Sequence, residues 1–92
     1  SFEFITEFGK QDLKSPNGIA IYGNFVYVSD SKLDEILKYE LPDFKLVARI
    51  GHTAKGKLQY PTGMTSDTNG DLYLTEMHAD RVSIFNQNLI FK

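Results

Sequence analysis

The sequence predicts an all-β protein made from two copies of one four-stranded antiparallel unit, and three observations carry that prediction. The first is repetition: Pro16-Asn17-Gly18-Ile19-Ala20-Ile21 followed by Phe25-Val26-Tyr27-Val28-Ser29-Asp30 returns as Pro61-Thr62-Gly63-Met64-Thr65-Ser66 followed by Asp71-Leu72-Tyr73-Leu74-Thr75-Glu76. The second is alternation. Apolar and aromatic residues alternate with polar ones in short runs, as in Leu46-Val47-Ala48-Arg49-Ile50, and do not recur at helical spacing. The third is punctuation: Gly23-Asn24 in one copy and Asn69-Gly70 in the other reach positive φ at little cost and close tight hairpins.

The offsets place the length changes in turns. Pro16 to Pro61 and Gly18 to Gly63 differ by 45, whereas Tyr27 to Tyr73, Asp34 to Asp80, Ile36 to Val82 and Tyr39 to Phe85 differ by 46. The extra residue falls in the hairpin turn. A period of about 45 is that of stacked repeats and propellers, in which each unit buries its faces against its neighbours.

The elements follow in order. Residues 1–9 read as the outer strand of a preceding blade, because Phe2-Glu3-Phe4-Ile5-Thr6-Glu7-Phe8-Gly9 is similar to Phe44-Lys45-Leu46-Val47-Ala48-Arg49-Ile50-Gly51. Residues 10–51 form the first unit, with strands over 18–21, 25–30, 35–40 and 44–50. Residues 31–39 have helix-forming composition, but the matching stretch of the other copy is β-rich, so they read as a loop running into a strand. Residues 52–92 form the second unit, with strands over 63–66, 71–76 and 81–86 and a stub over 89–92. Pro16 and Pro61 open strands, where a missing N–H does no harm.

Composition narrows the function classes. Seven Phe, five Tyr and 41% hydrophobic residues suit a small β core. No cysteine is present, which removes disulfides, thiol catalysis and thiolate metal sites. A formal charge of −2 argues against a generally basic nucleic-acid binder. No apolar run is long enough to cross a bilayer as a helix and no leader pattern is visible, so no membrane partner is expected. The compartment is open.

Phe-Gly, a variable loop, Pro-Asn-Gly-Ile-Ala-Ile, Val-Tyr-Val-Ser-Asp-Ser and then Asp34-Glu35-Ile36 with Tyr39 resembles the NHL repeat of β-propellers. The second copy, from Pro61-Thr62-Gly63-Met64 to Asp80-Arg81-Val82-Ser83-Ile84-Phe85, is similar to it and keeps the acidic-Arg-hydrophobic step. The resemblance covers the whole chain and implies four-stranded blades, six in an intact ring. Family members include scaffold and RNA-binding propellers, kinase sensor domains and a peptide-amidating lyase. Two departures stand out. Glu35 replaces the usual Arg before the third strand, which puts a blade-to-blade ion pair in doubt. The positions at which the lyase places zinc-binding histidines hold Asn17, Gly18, Thr62 and Gly63, so its chemistry is not carried over.

Two blades do not close a ring. A segment of a longer propeller, three copies assembling six blades, or a free two-unit domain would each satisfy the pattern, and the stub at 89–92 favours the first. The expected neighbours are therefore further propeller blades or copies of this chain. In such a fold, the loop before the first strand and the loop between the second and third strands emerge on one face. That face would carry Lys10, Asn17, Lys32, Asp34, His52, Lys57, Tyr60 and His78, a mixture able to bind an acidic or phosphate-bearing ligand or simply to solvate loops.

His52, Glu76 and His78 are the candidate zinc ligands, and Asp30 with Asp34 or Glu76 with Asp80 the candidate calcium carboxylates. No ligand spacing supports either ion, and no Asp-x-Asp-x-Asp-Gly loop is present. The competing reading is that Asp30 and Glu76 accept backbone amides of loops. Ser29 and Ser31 lack a nucleophile elbow. The expectation is a binding scaffold for a protein or small-molecule ligand, with no cofactor. The alternative is part of a metal-dependent lyase or hydrolase, and a third reading is nucleic acid on the lysine face.

Overall fold

Backbone alternation and hairpin turns organise the chain into three antiparallel sheets, described over residues 12–92 in the computed structural model. The expected strand over 1–9 and Lys10 lie outside the described residues. β1 (Pro16–Tyr22), β2 (Phe25–Asp30), β3 (Glu35–Glu40) and β4 (Lys45–Ile50) form one four-stranded sheet in chain order. β5 (His52–Thr53) and β6 (Gly56–Lys57) make a small hairpin. β7 (Pro61–Ser66), β8 (Leu72–Glu76) and β9 (Arg81–Phe85) form the third sheet.

The differences from the sequence reading are local. β1 and β7 begin at their prolines, two residues earlier than expected, because both sit at a bulge in the pairing with the next strand. The stub over 89–92 contributes one bridge, Phe85 to Phe91, and not a strand. The 52–57 hairpin and a 3-10 turn, Met77–Ala79, were not anticipated. Among the described residues, no helix is long and apolar enough to cross a membrane.

The hairpin glycines work as expected. Gly23 takes φ 59 and Gly70 takes φ 85, conformations costly for a side chain with a Cβ. The second turn is also tied by Asp67, whose carboxylate accepts the Asn69 and Asp71 amides and the Tyr73 hydroxyl.

Both faces of the first sheet are buried. One face places Val26, Val28, Leu37 and Tyr39 in a cluster with Leu13, flanked by Ile19, Leu33, Leu41, Phe44 and Leu46. The other packs Ala20, Tyr27 and Ile36 against Leu58, Leu72, Leu74, Phe85 and Leu89. This second cluster joins the two repeat units. Its nearest approach is β1 against β7, with β2 close behind. Gly18 makes that approach feasible, since a Cβ there would collide with the Thr62 carbonyl.

Candidate functional site

Each repeat pins its lead-in loop with a carboxylate at the end of its second strand. In the first unit, Asp30 Oδ2 accepts the Lys14 and Ser15 amides at 2.7 and 2.9 Å, and Oδ1 accepts those of Lys32 and Leu33 at 3.0 and 2.9 Å. In the second, Glu76 Oε1 accepts the Gln59 amide and Arg81 Nη2, while Oε2 accepts Arg81 Nε and the Ser83 hydroxyl. Matching backbone bonds close both loops: Ser31 N–H to the Ser15 carbonyl, and Met77 N–H to the Tyr60 carbonyl, each 3.1 Å. Leu13 and Leu58, three residues before their prolines, anchor the same loops in the core.

Burial alone would push the Glu76 carboxyl up. The hydrogen bonds from Arg81, Ser83 and the Gln59 amide, with the Arg81 charge, instead hold it below its ordinary 4.5. Both oxygens are occupied by these donors. Among the described residues, no three His, Asp or Glu lie close enough together to hold a metal ion, so His52, Glu76 and His78 are not brought into one group.

Among the other sequence candidates, Asp34, Lys57, Tyr60 and His78 are brought together by direct contacts. Asp34 sits in the left-handed region at φ 57, and its carboxylate reaches into the second unit, accepting the Tyr60 amide at 3.0 Å and pairing with Lys57 Nζ at 3.4 Å. Tyr60 stacks on His78, with ring centroids 4.5 Å apart and planes 22° apart. Lys57 is paired across the hairpin with His52. Asn17 is held by its amide to the Ser15 carbonyl and the Ser31 hydroxyl, beside the exposed Lys32. Met77, exposed by 60%, flanks the aromatic pair.

This patch can stack, hydrogen-bond and accept an apolar side chain. Its charges are partly neutralised internally, since the best-placed lysine already meets a carboxylate. Sequence reading missed the Glu76–Arg81–Ser83 cluster and the paired leucines, although the recurrence of Leu three residues before Pro was visible. Glu35, where an inter-unit pair was doubtful, bonds Arg49 of its own sheet.

No family model matches the chain. The chain is similar to an uncharacterized protein of Acanthamoeba polyphaga mimivirus, with 32% identity over 77 residues, covering 80% of this chain and 19% of the relative. The chain thus spans about a fifth of the length of that relative.

Proposed function

We propose that this chain is a two-unit segment of a β-propeller of NHL type and works as a binding scaffold, meeting a peptide segment of a partner protein on its loop edge. The carrying observation is the exposed Tyr60–His78 stack beside the Asp34–Lys57 pair, tied to the first unit where the Asp34 carboxylate accepts the Tyr60 amide. Exposed aromatics on a rigid frame contribute contact area with little loss of side-chain entropy, which suits recognition. The register of the repeat, the four-stranded antiparallel first sheet and the inner-strand contact of β1 with β7 support the propeller reading.

Peptides selected from a random phage library against the 92-residue chain test this reading. They should bind in calorimetry and lose about tenfold in affinity or more with Tyr60→Ala or His78→Ala, folding being checked by circular dichroism. Binders indifferent to both substitutions, or no binders, would contradict it. Binding should persist in chelator. Loss of binding in chelator, restored by zinc and abolished by His78→Ala, would instead favour the metal-dependent alternative.

A further inference from the structure

The two units hold the backbone just before their prolines in different ways. In the first unit, Asp30 takes the amides of both Lys14 and Ser15. In the second, Glu76 takes only the Gln59 amide, and the Tyr60 amide turns away to Asp34 Oδ1 of the first unit at 3.0 Å. Tyr60 makes that turn at φ 54, whereas Ser15, its counterpart, stays out of the left-handed region. A residue before proline is ordinarily extended, and a bulky one at positive φ is strained.

Closing the loop does not require that strain. The Ser15 carbonyl receives the Ser31 amide at 3.1 Å without it, the same distance at which the Tyr60 carbonyl receives the Met77 amide. The strained conformation persists because its surroundings over-determine it. The Gln59 carbonyl also accepts the His78 amide, at 3.3 Å, so the N–H and C=O of both Gln59 and Tyr60 are bonded, and Asp34 is the partner that comes from the first unit. The other Asp34 oxygen meets Lys57 at 3.4 Å, which fixes the two ends of the segment from Lys57 to Tyr60 by one carboxylate. The outcome is a Tyr60 ring stacked on His78 while still 38% exposed.

We propose that Asp34 is a positioning residue for the loop-edge site: it draws the Tyr60 amide out of the extended conformation and thereby presets the aromatic pair that meets the ligand. A ring already in place loses little freedom on binding, so backbone strain in the free chain appears as affinity for the peptide. Because the acceptor belongs to one unit and the ring to the other, the preset pose exists only while the two units are packed, and peptide binding strengthens their contact in return. The inference rests on the reading of this edge as the binding site.

The test compares Tyr60→Gly with Tyr60→Ala in the 92-residue chain. Both lose the ring; glycine is the less stable of the two in an extended segment, and the order reverses at a left-handed position. The glycine variant should therefore unfold at a urea midpoint about 0.5 M above the alanine one. In an Asp34→Gly background, chosen because Asp34 itself has φ 57, the order should revert to alanine above glycine. Asp34→Gly should also remove the ring-current shift of the His78 imidazole protons in nuclear magnetic resonance and weaken the phage-selected peptides about tenfold. Asp34→Asn keeps an acceptor oxygen and should preserve both the shift and the binding. A glycine variant less stable than the alanine one, or an order indifferent to Asp34, would overturn the proposal. So would peptides that bind Asp34→Gly as tightly as the wild type, a result that leaves the scaffold reading standing. Midpoints and imidazole shifts as predicted, with no peptide binder found, would overturn the scaffold reading and the positioning role with it.

Discussion

Asp30 and Glu76 hold the same register position and solve the same problem by different chemistry. The shorter Asp30 side chain gathers four backbone amides, and the longer Glu76 gathers one amide, a guanidinium and a hydroxyl. Unpaired loop amides beside a buried strand end are costly, which explains why an acid recurs there. Glu76→Gln should destabilise the chain by about 2 kcal/mol in urea unfolding near neutral pH. Because the folded carboxyl titrates below its ordinary 4.5, the stability it confers is complete above that value and is lost as pH falls through the lower folded one. The wild type should therefore weaken on acidification below 4.5 with a steeper slope than Glu76→Gln, and equal slopes would contradict the assignment. Gly18→Ala should cost about 1–3 kcal/mol through collision with the Thr62 carbonyl, whereas Gly63→Ala should stay within about 0.5 kcal/mol in this chain.

The strands were legible because β1, β2, β3 and β4 are bounded by turn residues, and one-residue alternation assigns each side chain to a face. The 52–57 hairpin was not, since His52-Thr53-Ala54-Lys55-Gly56-Lys57 has no apolar alternation and forms only two ladder pairs. The candidate face was legible as a set of loops, but its pairings were not. Asp34 meets Tyr60 across 26 residues, a contact that exists only once the sheets have packed. Asp30→Ala should release both segments that this residue ties. Hydrogen exchange of the Lys14, Ser15, Lys32 and Leu33 amides should accelerate together, while the Gln59 amide, held by Glu76, keeps its protection. Acceleration of the Gln59 amide alongside them would mean the two loops open as one unit.

For the molecule as a whole, the cluster between the units also buries polar groups that bind them. The Tyr27 hydroxyl donates to the Gln87 carbonyl at 2.6 Å, and Lys38 Nζ donates to the same carbonyl at 2.8 Å while lying 4.0 Å over the Phe25 ring. Burial lowers the Lys38 ammonium from its ordinary value against the raising pull of Glu40. Burial, with Tyr22 nearby, raises Tyr27, and burial followed by the Asp12 charge raises Tyr39. The stability these tyrosines confer is complete below their ordinary 10.0 and is lost as pH rises from there toward their raised folded values. In an ultraviolet titration they should ionise together with loss of structure, and free ionisation of both near 10 with the fold intact would contradict their burial. Tyr27→Phe should cost about 1 kcal/mol.

The packing of the two repeats on one another underlies the loop-edge patch, and methyl-resolved nuclear Overhauser spectroscopy tests it most directly. Cross-peaks from the Ala20 and Ile36 methyls to those of Leu72 and Leu74 are predicted, alongside contacts within each sheet. Intact contacts within the sheets with none between them would contradict the account.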